Sequence, residues 1–237
     1  MSRSNKGFGL IELLIALALS LVVVLGVAQI FIAAKNTYVS QNTAAGMQED
    51  ARFVLSKLIQ EIRMVGMFGC LGTITDASAG SSFGAIQATP ISWDNSNLQL
   101  TLVTADVGAN GGVPTWTVIS DCRNTATAYS NLAAPAAGQL AFPIRRLVYV
   151  LKNGQLTMGT GIGTPPQYVL VDNVKYFNVS FGLATSATDV AASTYSTNPA
   201  DPSRIRSVRL SLTLTDPNLR VSDQTFNVVA ALRNRLQ

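Results

Sequence analysis

The chain has 237 residues, of which 48% are hydrophobic, only 13% are charged and none is histidine. Without histidine it lacks the commonest general base and the commonest metal ligand, so most enzyme and metal-centre classes lose their usual chemistry and no cofactor is expected. The net charge of +4 arises from 17 Lys and Arg against 13 Asp and Glu, a balance too even for a nucleic-acid footprint.

The chain opens on a short basic leader with Arg3 and Lys6, followed by Gly7-Phe8-Gly9-Leu10-Ile11-Glu12. Residues 13–34 then carry no charge, and only Ser20 and Gln29 bear polar groups. A run of about 22 such residues is long enough to cross a bilayer core as a helix. The positive flank before it predicts a cytoplasmic N-terminus and an extracytoplasmic remainder. Glu12 is out of place at the edge of such a span, where an unpaired carboxylate costs a few kcal/mol or so. Either it reaches the headgroup layer of an ordinary signal anchor, or it meets an amine within the membrane, which a cut after Gly7 would create on Phe8.

Gly7-Phe8-Gly9-Leu10-Ile11-Glu12-Leu13-Leu14-Ile15-Ala16 resembles the class III signal of type IV pilins and pseudopilins. The resemblance implies cleavage by a prepilin peptidase between Gly7 and Phe8, N-methylation of Phe8, and use of Glu12, the fifth mature residue, in filament assembly. Loss of Arg3 and Lys6 with the leader would leave 15 basic against 13 acidic residues. Gly9 stands second in the mature chain, where major pilins usually carry Thr or Ser, which points to a minor component. A competing reading is ordinary signal-peptidase cleavage after Gly26-Val27-Ala28, against which stand Glu12 and the continuation of the apolar run to Ala34.

Beyond the span, Ala44, Met47 or Gln48, Ala51, Leu55, Leu58, Ile62 and Val65 keep the three-and-four spacing of a helix with one buried face, opposite Glu49, Asp50, Lys57 and Glu61. A single stem helix from Phe8 to Val65 would be about 85 Å long, with Gly26 and Gly46 as its expected bends. Gly66-Met67-Phe68-Gly69-Cys70 breaks it, because its two glycines permit positive φ. Cys70 and Cys122 are an even pair in an oxidising compartment, so a disulfide is expected in preference to two reduced thiols. Closing a loop of that length stabilises a fold by about 4 kcal/mol in the chain-entropy model, here tying stem to head.

Residues 73–97 read as loop with short strands at most. Alternation at Leu98, Leu100 and Leu102 predicts a strand ending at the glycine-rich turn 108–112, and residues 115–120 predict another leading into Cys122. The Ala-rich stretch 126–138, interrupted by Pro135, reads as loop. Residues 145–152 and 155–158 flank Asn153-Gly154, which predicts a hairpin on a type I′ turn. Gly159-Thr160-Gly161-Ile162-Gly163 lacks the Lys and the helix of a phosphate loop and reads as plain loop. Further strands are expected at 168–171, 174–181, 206–215 and 225–232, and a long mobile loop, the best candidate for a variable contact surface, at 184–202.

Gly66-Met67-Phe68-Gly69-Cys70 and the closing Ala231-Leu232-Arg233-Asn234-Arg235 resemble the PilW family of minor pilins. Heads of that family often carry an acidic stretch after a Tyr/Phe-Gly step. Here Phe181-Gly182 is followed by Leu183-Ala184-Thr185-Ser186-Ala187, so no calcium loop is expected. The expected architecture is pilin-like α+β: a cleaved leader at 1–7, a stem helix at 8–66 with a transmembrane first half and an amphipathic second half, and an antiparallel β-sheet head at 67–237. The resemblance implies a minor pilin that helps initiate or modify a type IV pilus, with roles in twitching motility and adhesion. Its expected home is the bacterial inner membrane, with a periplasmic head, and after assembly the cell surface. Its implied partners are other minor pilins, the major pilin, the prepilin peptidase and the inner-membrane assembly platform. A pseudopilin of a type II secretion system shares the same N-terminal physics. An enzyme is the third reading, and it is disfavoured: Asp76, Asp94, Asp106, Asp121, Asp172, Asp189, Asp201, Asp216 and Asp223 are scattered singly, mostly in turns, where Asp bonds the backbone.

Overall fold

A computed structural model describes residues 9–105, 112–186 and 188–233. They form two compact units, Met1–Gly46 and Met47–Gln237. The helix α1, Leu10–Arg63, belongs to both and is continuous through Gly26 and Gly46, the two positions where bends were expected.

In the first unit the apolar side chains of α1 are exposed, from Leu10 through Ile32. This part of α1 is long and apolar enough to cross a membrane. Ser20, the one hydroxyl of the run, donates to the Leu17 carbonyl at 2.8 Å, and Thr37 donates to the Ala33 carbonyl at 3.0 Å. Each hydroxyl is thus satisfied within its own helix, which lowers the cost of placing it in hydrocarbon.

In the second unit α1 buries Met47, Ala51, Val54, Leu55, Leu58 and Ile62, the face its periodicity predicted with Val54 added, while Ala44, expected on that face, is only half-buried. Glu61 departs from that prediction. It was assigned to the solvent face beside Glu49, Asp50 and Lys57, yet it is only 4% exposed. Its Oε1 accepts from Lys57 Nζ at 3.0 Å and its Oε2 from Thr104 Oγ1 at 3.4 Å, so the carboxylate is buried because partners on both sides replace its water.

The described residues of the head form twelve strands in two sheets. The first holds β1 (Thr75–Asp76), β2 (Ile91–Asp94), β3 (Gln99–Ala105), β4 (Trp116–Ser120), β5 (Ala126–Ser130), β6 (Leu140–Lys152), β7 (Gln155–Thr160) and β8 (Tyr168–Val171). Its order is β1-β5-β4-β6-β3-β2, with β7 on β6 and β8 on β7. The second holds β9 (Val174–Leu183), β10 (Thr194–Ser196), β11 (Ile205–Leu214) and β12 (Gln224–Ala231), in the order β10-β9-β11-β12. All pairs are antiparallel except β1 with β5. The larger core joins α1 to both sheets through Leu58, Leu102, Tyr149, Phe177 and Leu210, and a smaller one gathers Phe68, Phe83, Trp116 and Ile144.

The Asn-Gly hairpin forms as predicted: Lys152 pairs with Gln155, and Asn153 and Gly154 take φ of +53° and +73°, the two positive values a type I′ turn requires. Pro143 lies in β6 opposite Thr117 of β4, and among the described residues β3 begins its pairing one residue later, at Ile144. Two expectations are corrected. Residues 126–130, read as part of a loop, form β5 against β4, with Ala126 and Ala128 buried; alanine carries no strand signal, and the packing of its neighbours decides. The stretch 184–202, expected as one mobile loop, contains β10, paired with β9. It is held further by Arg204 Nε to the Ala184 carbonyl at 2.8 Å and by Arg206 Nε to the Asp189 carbonyl at 2.6 Å.

Candidate functional site

The proposed processing step, Gly7 to Phe8, lies outside the described residues. The structure begins beside it, at Gly9, which precedes the first turn of α1. Glu12 and Leu13 donate their amides to the Gly9 carbonyl at 3.1 and 3.2 Å, so Gly9 occupies the N-cap position. Glu12, three residues on, returns its Oε2 to the Gly9 amide at 2.9 Å. This is half of a capping box: the third helical residue satisfies the backbone of the cap, while the hydroxyl of a Ser or Thr cap is missing. The helix N-terminus also favours a negative charge in its first turn. Glu12 therefore has a partner within its own chain, one residue beyond Phe8, which the sequence reading did not assign. A Glu three residues after the candidate cap is the signal that could have found it.

At the other end of α1 the break falls where the glycines predicted it. Gly66 and Gly69 take φ of +76° and +134°. The Gly66 amide donates to the Val103 carbonyl at 3.1 Å, and an isolated bridge joins Val65 to Thr104. Cys70 and Cys122 are disulfide-bonded, with Cα atoms 5.4 Å apart and a separation of 52 positions in sequence. The cross-link joins the segment after α1 to the turn between β4 and β5.

In that turn Asp121 accepts three backbone amides, from Arg123, Asn124 and Thr125, each at 2.9 Å. The amides of Thr125, Arg123 and Asn124 hold its carboxyl well below the ordinary carboxylate range. Asp216 is held down likewise, first by the Arg220 guanidinium, whose Nε and Nη2 sit 2.8 Å from its two oxygens. Asp94 is lowered by the Asn97 side chain and by the backbone amides of Asn97 and Ser96. Burial opposes ionisation of Asp76, but the Ser78 hydroxyl and the amides of Gly84 and Ser78 prevail, and its carboxyl is also lowered. Asp172 accepts from Gln155, Asp189 from the Ser186 amide, Asp201 from the Ser203 amide, and Asp223 from Lys175. Asp106 lies outside the described residues. The eight described head aspartates are thus occupied by turn amides or neighbouring side chains, and they stay ionised where their shifts are resolved, the opposite of a raised catalytic acid.

Beside Glu61 the Tyr149 hydroxyl is buried without a hydrogen-bond partner among the described residues. Burial pushes its pKa up, and the negative charge of Glu61 adds to that while Arg145 opposes it. No sequence signal marked this polar group inside the core.

A family model for the prokaryotic N-terminal methylation motif matches residues 2–28. No curated protein matches the chain. The matched segment spans Gly7, Phe8, Gly9 and Glu12 and most of the apolar run, and such a signal implies processing by a prepilin peptidase and membrane assembly with other pilins. From this motif and from an α1 long and apolar enough to cross a membrane, the chain is a type IV pilin-like or pseudopilin-like protein.

Proposed function

We propose that this chain is a minor pilin, similar to the PilW family, and that its task is structural and non-catalytic: to enter a type IV pilus with the major pilin and other minor pilins and to help initiate or modify its assembly. Twitching motility and adhesion are the activities such a subunit would serve. The observation that carries this reading is Glu12, the fifth residue after the Gly7–Phe8 step counting Phe8 as the first, directly before the uncharged stretch 13–34 of α1 and already turned back toward the chain's N-terminus.

The mechanism is helix packing with one ion pair. Before assembly the Glu12 carboxylate accepts the Gly9 amide within its own first turn. In a bundle of pilin stems the methylated amine of a neighbouring Phe8 competes for the same carboxylate, and a cation in a low-dielectric setting is the stronger partner. Exchange of one partner for the other would fix the axial register of the incoming stem.

Glu12→Leu tests this in cells that lack the wild-type copy. The variant should insert, because its span is more hydrophobic, and should still be cut after Gly7, with N-terminal sequencing reading methylated Phe8. It should be depleted from sheared surface filaments relative to the membrane fraction. Wild-type abundance in those filaments would leave Glu12 an interfacial carboxylate and sink the ion-pair mechanism. A mature start at Gln29 would remove the pilin reading itself. A deletion that blocks protein secretion and leaves surface pili intact would move the chain to a type II secretion pseudopilus.

A further inference from the structure

Edge strands expose unpaired backbone N–H and C=O groups, and proteins blunt them by short length, charge, proline or bulges. Four strands at the margins of these sheets, β1, β2, β8 and β10, hold two, four, four and three residues. β12 differs from them. It closes the second sheet with eight residues, Gln-Thr-Phe-Asn-Val-Val-Ala-Ala, without a charge or a proline. Its pairing with β11 runs from Ser207↔Ala231 to Leu214↔Gln224 with no register shift. No described strand pairs its far side, so alternate residues turn their N–H and C=O groups outward.

Beside that edge a groove of about 470 Å³ runs between β12 and α1, lined by Leu55, Ile59, Phe226 and Val228 together with Arg52. No carboxylate lines it. Arg52 is exposed and has no ion-pair partner among the described residues.

These features select an occupant. A free edge takes an extended segment through main-chain bonds, with pockets for its alternate side chains. The apolar lining fits an uncharged strand, and the uncompensated Arg52 fits a carboxylate beside it. One wall of the groove is α1, which contributes Arg52, Leu55 and Ile59. A second copy presenting its own β12 fits poorly: two identical edges pair about a two-fold axis and close on themselves, whereas a filament needs a head-to-tail contact, and the carboxylate that flanks β12, Asp223, is already held by Lys175 at 2.6 Å.

We propose that β12 and the α1 groove beside it form an acceptor site for an extended, uncharged strand flanked by a carboxylate, donated by a neighbouring pilin-type subunit. The proposal rests on the pilin reading above. Subunits that meet first through their stems would then be locked by an added strand in the head, and a strand lacking the carboxylate would be rejected.

The test places a photo-crosslinker at the edge of the full-length protein, as Asn227→p-benzoylphenylalanine, in cells that make its filament. After irradiation the linked peptide is identified by mass spectrometry. The expected adduct lies in an extended head segment of another pilin-type subunit, next to an Asp or Glu, and Arg52→Glu in the same chain lowers its yield by about tenfold, a change equal to about 1.4 kcal/mol. Adducts to a second copy of this chain, to a stem helix or to a protein that is not pilin-type would overturn the proposal, as would no adduct at all. So would an unchanged yield in Arg52→Glu. Persistence of the oxidised Cys70–Cys122 link and of trypsin resistance shows that each variant is folded. A mature N-terminus at Phe8 combined with any overturning outcome removes the acceptor site and leaves the pilin reading standing.

Discussion

On α1, Glu12 answers to a backbone amide and Glu61 to side chains, and the difference follows from what surrounds each. At the helix start the free amide of Gly9 is within reach at 2.9 Å. In the head, Lys57 and Thr104 flank Glu61, whose side chain is 6% exposed against 30% for Lys57. Removing the two ends of this pair should therefore have unequal effects. Glu61→Ala leaves a cavity and removes the acceptor that Lys57 uses, while the Thr104 hydroxyl keeps the Ala105 carbonyl at 2.9 Å, and should cost about 2 kcal/mol. Lys57→Ala removes a group that solvent also reaches, and should cost about 1 kcal/mol or less. Urea unfolding midpoints of the two variants check this; equal shifts would mean that Glu61 is not held as described.

Among the elements, the segment that leaves α1 is the one whose position depends on a covalent link. Gly66 to Cys70 has no regular secondary structure beyond the bridge at Val65, so backbone bonds to β3 and the bond to Cys122 hold it. The closed loop spans 52 residues, for which the chain-entropy model gives about 4 kcal/mol. Cys122→Ala should lower stability by up to that amount, with the larger part of the change cancelled when wild type and variant are compared under a reducing agent. Cys122 also adopts φ of +56°, a conformation that disfavours most side chains, so Cys122→Gly should recover part of the loss that Cys122→Ala shows in the reduced comparison. Melting temperatures with and without reductant decide both points.

For the whole molecule, the ionised aspartates make one prediction in common. Asp76, Asp94, Asp121, Asp216 and Asp223 all have folded values below their ordinary 3.8. A carboxyl whose value is lowered by folding contributes stability that is complete above its unfolded value and is lost as pH falls through the folded one. The melting temperature of the purified protein should thus hold level above about pH 5 and fall steeply below pH 3.8 or so. Asp216→Asn should lower the plateau and make the acid limb shallower, because the Arg220 pairing then no longer depends on protonation. An acid limb as steep as that of wild type would show that Asp216 does not contribute to it.

The sequence by itself determined the features that depend on near neighbours. The 13–34 run follows from composition, the buried stripe of α1 from spacing, the stop at Gly66 from backbone freedom, and the hairpin at Asn153-Gly154 from turn chemistry, all of which act over a few residues. The Cys70–Cys122 bond was legible because only two cysteines exist to pair. What tertiary structure decided concerns residues whose environment is supplied from far along the chain. β5 is a strand because β4 offers it an edge, since alanine expresses no preference of its own. Glu61 is buried because Thr104, 43 residues later, meets it across the core, where helical periodicity alone places a carboxylate in water. β12 is the long open edge of its sheet because β11 lies between it and β9, and the order of strands is set by long-range packing that no local pattern encodes.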